Sequence, residues 1–179
     1  AGDGMNLTFG NQANDTIVAG QGINLLFGNS GEDHITGGIG GWSLNVAFGN
    51  RDNDVVTGGN GVNVLFGNRG DDTVTGANGL NIAFGNRGND VVTAGAGVAI
   101  LFGNSGTDRV EGGAGLSLAF GNRGDDVVRA GNGLAVLFGN AGNDDVAGSN
   151  GLCVAFGNAD HDLVSAGAGL AVLFGNRGE

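Results

Sequence analysis

Gly67-Asn-Arg-Gly-Asp-Asp-Thr-Val-Thr75 and Gly76-Ala-Asn-Gly-Leu-Asn-Ile-Ala-Phe84 are two consecutive nine-residue stretches of the chain. Laid one over the other, they align glycine at the first and fourth places and a small or aliphatic residue at the eighth. Phe84 belongs to a Phe-Gly-Asn tripeptide, and all ten phenylalanines sit in that tripeptide: Phe9, Phe27, Phe48, Phe66, Phe84, Phe102, Phe120, Phe138, Phe156 and Phe174. The step between them is 18 residues, except for one step of 21 from Phe27 to Phe48. A fixed short period of this kind marks a solenoid, in which each unit buries its apolar side only against its neighbours. A hexapeptide helix would need an aliphatic residue every six positions, which Gly67–Phe84 does not supply. Division by nine gives a glycine-rich turn and a short strand in each half, and two halves close one flattened coil. The expected fold is therefore all-β: a parallel β-roll, or β-solenoid, with two short parallel sheets, 18 residues per coil and about ten coils.

The whole chain, residues 1–179, reads as one such domain, and the pattern is cut inside a half-repeat at each end, which fits a stretch of a longer array. A three-residue insertion near 41–43, around Gly40-Gly41-Trp42-Ser43, reads as a bulge or widened turn, with Trp42 as a local plug in preference to an exposed contact residue.

Composition agrees with this architecture. Glycine fills 41 of 179 positions and proline none, and 40% of residues are hydrophobic, too many for a disordered linker. Collagen is excluded by the missing Gly-x-y period. The longest apolar runs are about five residues, so the sequence holds no transmembrane segment. A lone cysteine, Cys153, allows no internal disulfide framework and no zinc spacing. The formal net charge of −11 argues against nucleic acid as a partner.

The first half-repeat resembles the Gly-Gly-x-Gly-x-Asp-x-aliphatic-x nonapeptide of the repeats-in-toxin (RTX) proteins. The resemblance covers essentially the whole chain, with the Gly-x-Asp-x-aliphatic core recurring along it. It implies a parallel β-roll with calcium bound in its turns. Two departures stand out. Asparagine replaces the second glycine, as at Asn68 and Asn86, and the second half-repeats lack the aspartate. Asparagine tolerates left-handed backbone, so the turn should survive.

The sixth place of the first half-repeat is Asp15, Asp33, Asp54, Asp72, Asp90, Asp108, Asp126, Asp144 and Asp162. In coils stacked about 4.8 Å apart these acids form a column. Neighbouring charges at that distance repel by about 3–4 kcal/mol at an effective dielectric of about 20. Calcium held between successive turns by carboxylates and backbone carbonyls would relieve this. The alternative is that the aspartates cap turn amides while Arg51, Arg69, Arg87, Arg123 and Arg177 screen them. The equivalent place of the second half-repeat is never ionic; Asn63, Asn81, Ala99 and Cys153 are examples, and Cys153 reads as a small filler. His34 and His161 fall at outward positions far apart, and no catalytic constellation repeats or converges, so the chain is not expected to be an enzyme.

Charge is segregated: second half-repeats carry only Asp3. Their strands should place Asn, Ser or Cys with a Leu–Ala alternation (Leu65, Ala83, Leu101, Ala119, Leu137) on the inner face, against Val56, Val74, Val92, Val110 and Val128. That leaves Leu80, Ile82, Phe84, Val98, Ile100, Phe102, Leu116, Leu118, Phe120, Leu134, Val136 and Phe138 on an outer apolar face. Ten coils at about 4.8 Å by five residues at about 3.3 Å make a patch of about 770 Å², larger than the about 300–600 Å² of a typical monomer's largest.

The expectation is a calcium-binding structural or interaction protein, secreted or at the cell surface, that forms a homo-oligomer through this face. Two other classes compete. Ice binding would use the column Thr57, Thr75 and Thr93, which breaks at Glu111, Arg129 and Ala147. A calcium-triggered secretion or folding module of a larger enzyme or adhesin would use the roll as a tail.

Overall fold

The computed structural model describes residues 2–175. They form a stack of strands and turns with no helix. The long strands are β1 (Gly4–Gln12), β3 (Gly22–Ser30), β5 (Ser43–Arg51), β7 (Gly61–Arg69), β9 (Gly79–Arg87), β11 (Gly97–Ser105), β13 (Leu116–Arg123), β15 (Leu134–Ala141), β17 (Cys153–Ala159) and β19 (Ala171–Phe174). The short strands are β2 (Thr16–Val18), β4 (His34–Thr36), β6 (Val55–Thr57), β8 (Thr73–Thr75), β10 (Val91–Thr93), β12 (Arg109–Glu111), β14 (Val127–Arg129), β16 (Asp145–Ala147) and β18 (Leu163–Ser165). Odd strands pair in order into one parallel sheet of ten, and even strands into a second of nine. This is the β-roll that the 18-residue period calls for.

The two sheets are unequal, which the nine-residue alignment does not reveal. The long strands β1 to β17 run on through Phe-Gly-Asn into the next half-repeat, so that Asn68 pairs with Asn86 and Arg69 with Arg87. The asparagine keeps its place in the ladder at φ between 85° and 92° in all nine described copies. A short polar side chain tolerates positive φ better than most residues do.

The register puts the eighth place of both halves inside. Val56, Val74, Val92, Val110 and Val128 on the short sheet and Leu65, Ala83, Leu101, Ala119 and Leu137 on the long one are fully buried. Large and small residues alternate along the second column, so successive coils interlock. Between the sheets the core is one residue deep on each side, and the stack gains its stability coil by coil.

The extra residues do not plug anything. Gly38 stands where Gly20 and Gly59 stand in the adjacent coils, and Ser43 pairs with Gly22 and Gly61. The insertion therefore lies within residues 39–42, and buried Ser43 belongs to the regular strand. Trp42 is 65% exposed and Ile39 68% exposed, so the turn widens outward.

Candidate functional site

At the turn that leads from the long sheet to the short one, each sixth-place aspartate points inward. Asp33, Asp54, Asp72, Asp90, Asp108, Asp126 and Asp144 are buried, while Asp15 and Asp162 at the two ends are half-buried. Their Oδ1 atoms share one role. The backbone N–H of Asp54 donates to Asp72 Oδ1, that of Asp72 to Asp90 and that of Asp90 to Asp108, each at 2.8 Å. The same bond runs from the amide of Asp15 to the carboxylate of Asp162 along the column. The carboxylate thus caps the turn of the preceding coil.

Oδ2 has no such role. In Asp15, Asp33, Asp54, Asp72, Asp90, Asp108, Asp126 and Asp144 it is buried without a hydrogen-bond partner. It lies over the Cα of the Phe-Gly-Asn glycine that opens its own turn, as Asp90 lies over Gly85 and Asp72 over Gly67. A Cβ on either glycine would collide with the carboxylate. At the first turns the carbonyl of the next coil's glycine reaches the same space: Gly28 O and Gly49 O come within 2.8 and 2.9 Å of the Cβ positions of Gly10 and Gly28. The lining is oxygen and Cα.

Burial makes the charged form costly, and it pushes the carboxyls of Asp54, Asp72, Asp90 and Asp126 up to about 7. Asp108 and Asp144 are raised to about 6, again by burial first, and Asp33 is raised as well. The amide hydrogen bond opposes the rise, and most of these acids also feel neighbouring carboxylates that add to it. An unpartnered carboxylate oxygen in eight successive coils, from Asp15 to Asp144, suits a hard divalent cation, which takes oxygen ligands at about 2.3–2.6 Å. No three acid, histidine or cysteine side chains cluster as a metal site among the described residues. An ion between two coils would therefore need backbone carbonyls or water to complete its shell.

No arginine is among the groups that act on the carboxyls of Asp54, Asp72, Asp90, Asp108, Asp126 and Asp144. Among the described residues the two ion pairs are Arg109–Glu111 and Arg129–Asp145, both on the outside of the short sheet. Arg51, Arg69, Arg87 and Arg123 are exposed at the third place of the turn, and Arg177 lies outside the described residues. The turn-capping half of that alternative is present.

The other interior column needs no ion. Asn6, Asn24, Asn45, Asn63 and Asn81 form an amide ladder, each Nδ2 donating to the next Oδ1 at 2.8–2.9 Å. From Ala99 onward the column is small: Ser117, Ala135 and Cys153 are buried. Burial raises the Cys153 thiol, which removes it as a nucleophile at neutral pH. His34 and His161 are exposed.

Two components of the site escaped the sequence reading. The Phe-Gly-Asn glycines make the room that the carboxylates occupy, and the fifth-place side chains form a second inter-coil ladder. In that ladder Asn53 accepts from the Asp71 amide and Asp71 from the Asn89 amide, at 2.8 and 2.7 Å. The tenfold repetition of Gly after Phe was the available signal for the first.

The long sheet turns its other face to solvent. Leu80, Val98, Leu116 and Leu134 are 39–45% exposed. Ile82, Ile100, Leu118 and Val136 form a half-buried middle column, and Phe84, Phe102, Phe120 and Phe138 a third. The rings stack at 4.6–5.0 Å with interplanar angles of 2–10° over all ten phenylalanines. Rings this parallel show a sheet with little twist.

The sequence model of the RTX calcium-binding nonapeptide repeat matches residues 9–41, 39–74, 75–110, 102–134 and 120–152. No curated protein and no solved structure matches significantly.

Proposed function

The chain belongs to the RTX calcium-binding nonapeptide repeat family, and from that premise we propose a non-enzymatic roll that binds calcium along its aspartate column and associates with itself through its apolar sheet. The observation that carries the reading is the orphaned, buried Oδ2 repeated from Asp15 to Asp144. Adjacent aspartates such as Asp72 and Asp90 would hold an ion between their turns, giving about eight sites, one per adjacent pair among the nine aspartates. Bound calcium supplies the positive charge that lets these buried carboxyls ionise at neutral pH. The protein's own part is to fix Oδ1 on an amide, aim Oδ2 into the turn and keep a glycine beneath it. The amide ladder on the other edge is already satisfied and takes no ion.

Several observations support the rest. The RTX repeat roll is a structural calcium-binding fold, which supports the structural reading. RTX repeats are typical of secreted bacterial proteins, and the sites suit a calcium-rich medium outside cells. The apolar face exceeds an ordinary monomer's patch, and two copies pressed together would bury about 1,500 Å², a standard interface. Ice binding is the weaker reading, since the outward threonines of the short sheet give way to Glu111 and Arg129.

Calorimetry on chelated protein tests the metal sites. Saturable calcium binding with a gain of strand signal is expected, and Asp90→Ala should remove the two sites it shares while leaving distant coils nearly unchanged. A chelated protein that is fully folded and gives no binding heat would refute the proposal.

A further inference from the structure

The aspartate turn keeps its inter-coil bond along the roll, from the amide of Asp15 to the carboxylate of Asp162. The turn on the opposite edge does not keep one form. From Asn6 to Asn81 that edge carries the amide ladder, which does more than join coils. Asn63 uses its whole amide. Its Nδ2 donates to Gly59 O at 2.8 Å and to Asn81 Oδ1 at 2.9 Å. Its Oδ1 accepts from the Gly59 N–H at 2.9 Å and from Asn45 Nδ2 at 2.8 Å. Asn81 grips both backbone groups of Ala77 in the same way. Each such side chain ties its own turn shut as well as tying it to the next coil.

Three changes coincide where the ladder stops. Beyond Asn81 the sixth place holds Ala99, Ser117, Ala135 and Cys153. Ser117 Oγ still accepts from the Gly113 N–H at 3.1 Å, but Ala99 and Ala135 offer no side-chain acceptor to the amides of Gly95 and Gly131. The backbone of the turn then changes. Its fourth-place glycine has φ between 106° and 117° at Gly4, Gly22, Gly61, Gly79 and Gly97, whereas Gly115, Gly133, Gly151 and Gly169 lie outside the left-handed region. The long strands shorten as well: β1, β3, β7, β9 and β11 begin on that glycine, β13 and β15 one residue after it, and β17 two.

In a solenoid the coupling runs between neighbours, so its two ends can order separately. Without metal each coil from Asp15 to Asp144 carries a buried carboxylate oxygen with no partner, a burden shared by both halves. The inner column of valine opposite leucine or alanine is common to both as well. Only the first half has a hydrogen-bonded edge that offsets the burden. In the second half Gly95 and Gly131 are half-buried, their neighbours Ala96 and Asn132 are exposed, and no amide ladder crosses from coil to coil. Lightly bonded, solvent-accessible backbone of this kind marks a segment of low local stability.

Building on the calcium binding and self-association proposed above, we infer that the roll has two parts. The coils up to about Ala99 hold together without metal, and calcium orders the coils beyond it and so completes the apolar sheet.

Area then links the metal to assembly. The first part alone presents about half of the apolar patch, so two copies would bury about 770 Å² in total, against the roughly 1,200–2,000 Å² of a stable interface. Calcium switches association on by supplying the other half of the sheet.

Hydrogen exchange on the whole chain, read peptide by peptide with chelator and with calcium, tests this. In chelator β3 to β10 should keep their protection and β13 to β18 should lose it, and calcium should protect both. Light scattering should give the mass of one chain in chelator and of two with calcium. Ala99→Asn would extend the ladder by one coil, and Ala94 leaves room for it, since Ala19 and Asn24 share those two places in an earlier coil. In chelator this variant should carry protection into β11. Protection kept or lost to the same degree in both parts overturns the inference, and so does a border that Ala99→Asn fails to move. A split that calcium leaves unchanged overturns the metal's part in it, together with the calcium reading above. A single-chain mass in calcium with the second part protected supports the two-part roll and overturns the self-association.

Discussion

Gly85 and Asp90 divide one volume between them. The aspartate can turn inward only because the glycine has no side chain, and the glycine's bare Cα is covered only because the carboxylate lies there. Gly85→Ala should therefore act on the aspartate column even though residue 85 carries no side-chain ligand. It should cost about 1–3 kcal/mol from overpacking and weaken the two calcium sites that flank Asp90. Denaturant melts together with calcium calorimetry check this, and unchanged affinity would mean that the carboxylate has another way to sit. Asn86 makes the complementary case: at φ 89° it holds a glycine-like backbone without leaving the ladder.

Among the elements, β9 shows how strictly the two faces are sorted. Ile82 looks outward and Ala83 is fully buried. Ile82→Asp should leave the coil folded but abolish association, because a charge buried at an interface without a partner costs about 3–5 kcal/mol. Ala83→Asp should damage folding itself, since its carboxylate would sit in the core between Leu65 and Leu101. Circular dichroism and light scattering on the pair check both, and a folded Ala83→Asp beside an unfolded Ile82→Asp would be the opposite result. This sorting was legible in the sequence, since the eighth place is aliphatic or small in both halves and the Leu–Ala alternation sits there. The unequal strands were not legible. Whether asparagine at positive φ ends a strand or stays in it depends on the amides of the neighbouring coils, which no single repeat displays. The aspartates were legible as a column, but their second oxygen was not, because its isolation comes from packing against glycine. Trp42 misled for a related reason: a large apolar residue reads as core until the register shows that its turn has no interior to fill.

For the whole molecule, the aspartate column couples stability to pH. Asp54, Asp72, Asp90 and Asp126 lie at about 7 in the folded chain, against about 3.9 for an unfolded aspartate. The unfolded chain gives up these protons first. With metal chelated, the stabilisation is then complete below about pH 4 and is lost as pH rises to about 7. Each kcal/mol is worth about 2–4 °C in Tm at this chain length. Thermal melts from pH 4 to 8 in chelator should show Tm falling, and the same melts in calcium should hold level or rise. A chelated Tm that stays flat over that window would mean the column is not a set of buried acids. The Leu–Ala alternation inside the roll carries a different consequence. Leu65, Leu101 and Leu137 recur at every second coil with Ala83 and Ala119 between them, so the interior has parity although the outer columns do not. Excising one coil would set leucine on leucine or alanine on alanine at the splice, whereas excising two would rejoin unlike neighbours. The length of such a roll can change without penalty only in even steps.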